Sequence, residues 1–314
     1  MTDRCAPLRA AGVAVAAVLA LALFVTLVVP RGRGDATPGP LLRANPNIGP
    51  FRGLGMWVDI YDEAAWADPA AAAADMAARG VRTLFLQTSN ADRPGSFVFP
   101  EATAAFVDAA HDAGIEIVAW YLPALRDLAS DRRRVADALA FRTPRGDAFD
   151  GFGLDIESEV VTDPVRRTER LVRLSAELRN LAGPGYPLGA IVPSPVRLRD
   201  DLAYWPGFPW HELALAYDAI LPMTYFTFRA SGPAETAAYV AGCIDEIRTA
   251  VGSDAVAIDV IGGLASDAAD PETRAFVRIL RARDATGGGW YSWPDTTEAQ
   301  WALLARFEPG AAAA

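Results

Sequence analysis

With 314 residues, 52% of them hydrophobic, the chain is far from disordered, and setting aside an apolar run near its start leaves roughly 265–270 residues, the size of a single α/β barrel. All 29 basic residues are arginine, which excludes Schiff-base chemistry, pyridoxal-phosphate attachment and a P-loop; two histidines (His111, His211) and two cysteines (Cys5, Cys243) are too few for a His-rich or Cys-rich metal centre. The net charge is −10, and beyond residue 44 the chain holds 24 Arg against 37 Asp plus Glu, a balance that repels nucleic acid.

In chain order, residues 1–9 read as a short cytoplasmic stretch and 10–30 as a transmembrane anchor or signal segment. Positions 10–29 carry no charge; at a rise of about 1.5 Å per residue they would span about 30 Å, the thickness of a bilayer core. Arg4 and Arg9 precede the run, which favours a cytoplasmic N-terminus. A cleaved signal has a shorter apolar region, and the best cleavage site, Gly34-Asp35-Ala36, is a poor one, so an uncleaved anchor is favoured over a cleaved signal. Either arrangement puts the main domain outside the cytoplasm, membrane-anchored or secreted. Cys5 then lies across the membrane from Cys243, and no disulfide between them is expected. Residues 31–50 are rich in Gly, Pro and Asn and read as a flexible linker.

From 51 to 310 short apolar runs alternate with amphipathic stretches. Strands are predicted over 53–60, 81–89, 115–122, 151–157, 187–193, 219–225, 255–261 and 288–293. Five of the intervening helices open on Pro at or near the first helical position, at Asp68-Pro69, Pro100-Glu101, Asp163-Pro164, Gly232-Pro233 and Asp270-Pro271. Helices over 130–141, 211–217 and 297–307 complete eight, and Gly80, Gly114, Gly183 and Gly252 punctuate helix ends. Eight strands alternating with eight helices predict an α/β fold, a (β/α)8 TIM barrel preceded by one N-terminal transmembrane helix. An open doubly wound sheet is the alternative, but no G-x-G-x-x-G follows the first strand.

In such a barrel the chemistry sits at the C-terminal ends of the strands, where side chains alternate between the interior and the helix layer. On the first strand Leu54, Met56, Val58 and Ile60 share the outward parity, so Trp57 and Asp59 point inward. On the fourth, Leu154 and Ile156 face out while Asp155 and Glu157 face in. On the seventh, Val256, Ile258 and Val260 face out and Asp259 faces in; on the sixth, Leu221, Met223 and Tyr225 share one parity. Inward carboxylates are expensive to bury without partners, and close ones push one another's pKa values apart, leaving one as an acid and another ionised. That is the equipment for cleaving a glycosidic bond. The expected catalytic residues are Glu157, Asp155, Tyr225 and Asp259; the expected substrate-binding residues are Trp57, Asp59, Gln87, Met223 and Trp293. Other readings stay open. Asp155 and Glu157 would also serve as a structural pair tied to arginines, Asp59 and Asp259 as orienting groups or salt-bridge partners, and segment 204–210 as a sugar-stacking wall or a loop packed on itself. His111, His211 and Cys243 read as packing, surface or loop residues.

The run Asp150-Gly151-Phe152-Gly153-Leu154-Asp155-Ile156-Glu157 resembles the fourth-strand signature of the family 18, chitinase-like glycoside hydrolases, Asp-Gly-x-Asp-x-Asp-x-Glu. Met223-Thr224-Tyr225 resembles that family's sixth-strand Met-x-Tyr-Asp, and Trp293 its eighth-strand tryptophan. The resemblance implies Glu157 as general acid, Asp155 as its partner, Tyr225 steadying the reacting group and Trp293 flooring a sugar subsite, with the substrate's N-acetyl group as nucleophile. Gly153 stands where the family has its middle Asp, and Phe226 where an Asp follows the Tyr. Both departures remove groups that position an acetamide, so the resemblance does not extend to an N-acetyl sugar.

The expected function is a glycoside-hydrolase-like enzyme acting on a cell-surface or extracellular polysaccharide, with Asp259 and then Asp59 as candidates if the protein itself supplies the nucleophile. A glycan-binding barrel without turnover is one alternative. Another is a hydrolase using Asp59, Asp155, Glu157 and Asp259 as oxygen ligands for Mg²⁺ or Ca²⁺. No cofactor is implied by the favoured reading; the implied partners are a carbohydrate and, through residues 10–30, the membrane.

Overall fold

The structure, a computed structural model, describes residues 41–309. The predicted cytoplasmic stretch, the apolar segment 10–30 and linker residues 31–40 lie outside the described residues. Among the described residues no helix is long and apolar enough to cross a membrane.

Eight parallel strands form the interior: β1 (Gly53–Val58), β2 (Thr83–Asn90), β3 (Glu116–Leu122), β4 (Gly151–Asp155), β5 (Leu188–Val192), β6 (Ala219–Pro222), β7 (Asp259–Leu264) and β8 (Gly287–Tyr291). They follow one another in the order β6-β5-β4-β3-β2-β1-β8-β7. Bridges Ile220↔Ile258 and Met223↔Ile261 join β6 to β7 and close the ring. This is the predicted (β/α)8 barrel.

The outer layer is built from α1 (Glu63–Ala67), α2 (Pro69–Ala78), α3 (Pro100–Asp112), α4 (Leu128–Ala140), α5 (Pro164–Ala182), α6 (Pro195–Asp200), α7 (Trp210–Ala216), α8 (Gly232–Val251), α9 (Asp270–Ala282) and α10 (Glu298–Leu304). The short α1 and α6 are additions to the eight predicted, both in the loops above strand ends. Acidic and hydroxyl side chains start these helices by satisfying backbone N–H groups that have no partner within the first turn. Asp68 accepts from Ala71 N (3.0 Å), Asp163 from Val165 N (3.0 Å), and Thr297 and Gln300 form a reciprocal box at α10.

Strand alternation sorts the core into two shells. Leu54, Met56, Val58, Leu154, Ile156, Ile258 and Val260 pack against the helices. Phe51, Trp57, Phe85, Trp120, Ile191 and Leu221 fill the barrel. Phe51, on a one-turn helix before β1, plugs the base 6.4 Å from the Phe85 ring. Near the same end the fully buried Asp218 carboxylate accepts from Arg43 Nε (2.8 Å), Asn47 N (2.9 Å), Arg179 Nη2 (2.5 Å) and Leu188 N (2.8 Å). That fan of donors ties the segment entering the barrel to α5 and β5, and it satisfies a carboxylate that would otherwise be costly to bury.

Closure brings some backbones too close for any side chain. A Cβ on Gly289 would stand 1.8 Å from the carbonyl oxygen of Gly55 on the neighbouring strand. Gly289→Ala is therefore expected to destabilise the barrel by ~3 kcal/mol or more, read as a large fall in Tm or loss of soluble protein. Gly185→Ala, at an exposed position with open space around it, is expected to leave Tm nearly unchanged.

Candidate active site

The rim at the C-terminal ends of β1, β4, β6 and β8 gathers the acids. Asp155 ends β4. Beyond it Ile156 N still donates to Ile191 O (2.8 Å), so the pleat continues and Glu157 stays on the inward side. Asp155 is only 5% exposed, and its Oδ1 has no hydrogen-bond partner among the described residues. Burial, reinforced by the charge of Glu157, holds its carboxyl well above the usual range. Glu157 is open to solvent, yet the protein crowding its carboxyl also raises it, against the opposing pull of Arg197.

Above them lies a small cleft of about 140 Å³, lined in part by Glu157, Met223 and Tyr225. Burial first, then the charges of Asp155, Glu157 and Asp59, keep the Tyr225 hydroxyl protonated far above neutral pH. The rest of its lining comes from the loops after β5 and β6 and from α8. Ser194 caps α6 and pairs with the Tyr239 hydroxyl (2.5 Å), with Cys243 Sγ 3.7 Å behind it. The Arg197 guanidinium lies over the Tyr204 ring (3.7 Å), and Arg229 follows the one-turn helix Phe226–Phe228. Larger hollows occur between α9 and α10 (about 510 Å³) and beside Gly53 and Glu116 at the barrel base (about 520 Å³), but neither lies at the strand ends where the acids meet.

A second cluster sits across Tyr225. Asp59 accepts from Tyr61 N (2.6 Å) and from the Tyr291 hydroxyl. Asp62 accepts from Asp59 N (2.9 Å) and Ser292 Oγ (3.3 Å). Burial outweighs those hydrogen bonds and pushes the Asp62 carboxyl up to about 6. The Tyr291 and Tyr225 rings, 6.1 Å apart, link the two clusters.

Asp59, Asp155, Glu157, Met223 and Tyr225 thus come to one mouth. Asp259 does not. The ladder of β7 begins at Asp259 rather than at 255, so this inward carboxyl enters at the base, against Gly287 and the Phe51 carbonyl. Burial alone raises it well above the usual range there. Trp57 lies inside the barrel, 2% exposed, stacked on Phe85 (4.3 Å). The Gln87 side-chain Oε1 accepts from Ile60 N (3.2 Å) and props the turn after β1. Trp293 lies two residues past the end of β8; its backbone N–H reaches Trp57 O (3.1 Å), but its indole N–H donates to Asp75 on α2 (2.9 Å), holding the ring in the helix layer. Tyr291 takes the inward place. Of segment 204–210, Trp205, Phe208 and Trp210 pack on one another (5.2 and 4.8 Å between ring centroids) and only Tyr204 reaches the cleft.

The positions that depart from the chitinase-like signature have physical counterparts. A Cβ at Gly153 would meet Ile191 Cδ1 at 3.0 Å and Trp120 Cβ at 3.4 Å, so the slot is already filled. Phe226 is fully buried against the stacked Phe276 and Trp290 rings in the outer shell. Asp150 accepts from Ile117 N (2.8 Å) and pairs with His111 Nε2 (3.0 Å), fastening β3 to β4. Among the described residues no three His, Cys, Asp or Glu converge to hold a metal ion.

The fold and rim define a (β/α)8 barrel with a carboxylate-lined mouth. No family model and no curated protein matches the sequence. Solved structures do match. The spore cortex-lytic enzyme SleL of Bacillus cereus superposes with a TM-score of 0.62 at 10% identity, covering 81% of this chain and 73% of that one. The endo-β-1,4-mannanase of Thermotoga petrophila gives 0.60 at 12%, covering 82% and 76%. The PgaB (BpsB) glycoside hydrolase domain of Bordetella bronchiseptica gives 0.58 at 12%, covering 82% and 99%. At these identities the likeness is one of fold.

An acid introduced at 153 tests the filled slot. Gly153→Asp would force a second carboxyl into apolar space beside Asp155 and is expected to cost ~2–4 kcal/mol, measured by chemical denaturation, with Gly153→Ala costing less.

Proposed function

We propose that the barrel is a glycoside hydrolase in which Glu157 donates a proton to the leaving oxygen and Asp155 sets its orientation and affinity for that proton. The observation that carries this reading is the pair itself: two adjacent carboxyls at the open mouth of a (β/α)8 barrel, both held above their ordinary pKa, one buried without a partner and the other facing a cleft. Glu157 has no ion-pair partner within salt-bridge distance among the described residues, so the acid is not locked into a structural bridge. Tyr225 faces the same space with a hydroxyl that keeps its proton, able to donate a hydrogen bond to the reacting group. The superposed neighbours are named as a mannanase, a spore cortex-lytic enzyme and a glycoside hydrolase domain, which supports a glycan as substrate. The uncharged run at 10–29, preceded by Arg4 and Arg9, supports an extracytoplasmic barrel held at a membrane or secreted, with an extracellular or cell-surface polysaccharide in reach.

A second reading, glycan binding without turnover, draws on the filled position 153. It requires saturable binding that survives Glu157→Gln and yields no product.

The test is hydrolysis of a glycan panel by the wild-type protein and by Glu157→Gln. Loss of a general acid is expected to lower kcat by about 10²–10⁴-fold; equal turnover by the two proteins overturns the assignment. The raised carboxyl also fixes the sign of the pH profile. The acid-competent, protonated form persists to higher pH than an ordinary Glu allows, and kcat falls as pH rises through that elevated pKa. Asp155→Asn reproduces the uncharged side chain that burial already imposes at this position and is expected to leave the alkaline limb nearly in place.

A further inference from the structure

The domain as a whole is strongly acidic, with 24 Arg against 37 acidic residues beyond position 44. Its cleft is not. Glu157 is the acid that lines the cleft, with Asp155 buried beneath it, and Arg197 and Arg229 line the same cleft. Several arginines elsewhere are engaged by carboxylates at close range: Arg79 by Asp75 and Glu298 (2.8 Å each), Arg145 by Asp112 (2.8 Å) and Arg283 by Asp245 (2.9 Å). Arg229 is exposed, its backbone N–H donates to Phe226 O (2.8 Å), and its guanidinium makes no ion pair or hydrogen bond among the described residues. Arg197 comes no nearer than 4.0 Å to Asp201. Its planar group lies instead on the Tyr204 ring at 3.7 Å, which fixes the plane and leaves N–H edges free for a second planar, charged group. Beside them Phe228, 60% exposed, meets Tyr225 edge-on at 6.1 Å and offers an apolar face to a sugar ring.

We infer that the cleft takes a glycan bearing carboxylate groups, a uronic-acid-type sugar or one with an acidic substituent, whose carboxylate is gripped by Arg197 and Arg229. This rests on the glycosidase reading of the same cleft and names its substrate class. The guanidiniums donate hydrogen bonds to the carboxylate, and such charge-assisted pairs discriminate by leaving the site's own charges unpaired when a neutral sugar is bound. A glycan carrying free amino groups would be repelled by the same pair.

The test begins with a glycan array of neutral, acetamido, amino and carboxylated members, probed with the catalytically silenced Glu157→Gln barrel. A retained carboxylated glycan and its carboxyl-reduced counterpart are then compared by calorimetry at low and high salt. Retention of carboxylated members is expected, with affinity falling as salt rises. Arg229→Gln is expected to weaken the acidic ligand about tenfold while leaving the reduced counterpart within about twofold. Arg197→Lys, which keeps the charge but loses the fork and the stack, is expected to weaken the acidic ligand as well. Retention of neutral or amino glycans alone, absence of any carboxylated glycan among those retained, or equal loss for a ligand and its reduced form overturns the inference. The two readings fail separately. A carboxylated glycan that binds but is not hydrolysed by the wild-type protein removes the hydrolase and keeps the charge selectivity. A neutral glycan cleaved in a Glu157-dependent way, indifferent to Arg229→Gln, does the reverse.

Discussion

A closed parallel sheet allows each strand residue only two destinations, and everything at the mouth of this barrel follows from that restriction. Outward positions must be apolar to meet the helices; inward positions must fill a narrow cylinder. Phe51, Phe85, Trp57 and Trp120 occupy the cylinder from the base upward, so water is excluded to just below the rim. Asp155 is the carboxyl at that boundary. It is too deep to ionise readily and has no donor to stabilise its charge. Glu157, one pleat higher, feels both the exclusion below and the solvent above. The gradient from aromatic filling to open rim thus tunes two chemically similar side chains differently.

The parity of the strands was legible in the sequence because alternation is a local property. Leu54, Met56 and Val58 against Trp57, and Leu154 and Ile156 against Asp155, sort into the expected shells. The height of a residue along the barrel was not legible, because it depends on where a neighbouring strand begins. Residues 255–258 alternate like a strand, yet the ladder to β8 starts only where Asp259 faces Gly287. An inward acid was read correctly as inward and placed at the wrong end. The same applies to Trp293, which shares its parity with Tyr291 but lies past the last paired residue, where the ring is free to turn to Asp75. Arg197, Arg229, Ser194 and Tyr239 left no periodic signal. Ser194, Arg197 and Arg229 sit in loops or at a helix start and Tyr239 lies within α8, and only the fold of the strands beneath them brings them to the cleft.

The departures at 153 and 226 are accommodated by packing, and not by a hole left unfilled. Ile191 and Trp120 close over Gly153, and Phe226 joins an aromatic stack with Phe276 and Trp290. A barrel that had merely lost its acids would leave space where they stood. Here the space has been reassigned to apolar contact, while a second acidic cluster, Asp59 and Asp62 with Tyr291, borders the same mouth. Polar groups thus gather at the ends of β1 and β8 as well as at the fourth-strand end that the signature names.

The thiol of Cys243 sits behind the cleft wall, fully buried on α8, within reach of Ser194. No reagent can touch it while α8 and the loop after β5 stay together. Its rate of alkylation is therefore a built-in gauge of how often that wall breathes, and a ligand that clamps the wall shut would announce itself as chemical silence at this one sulfur.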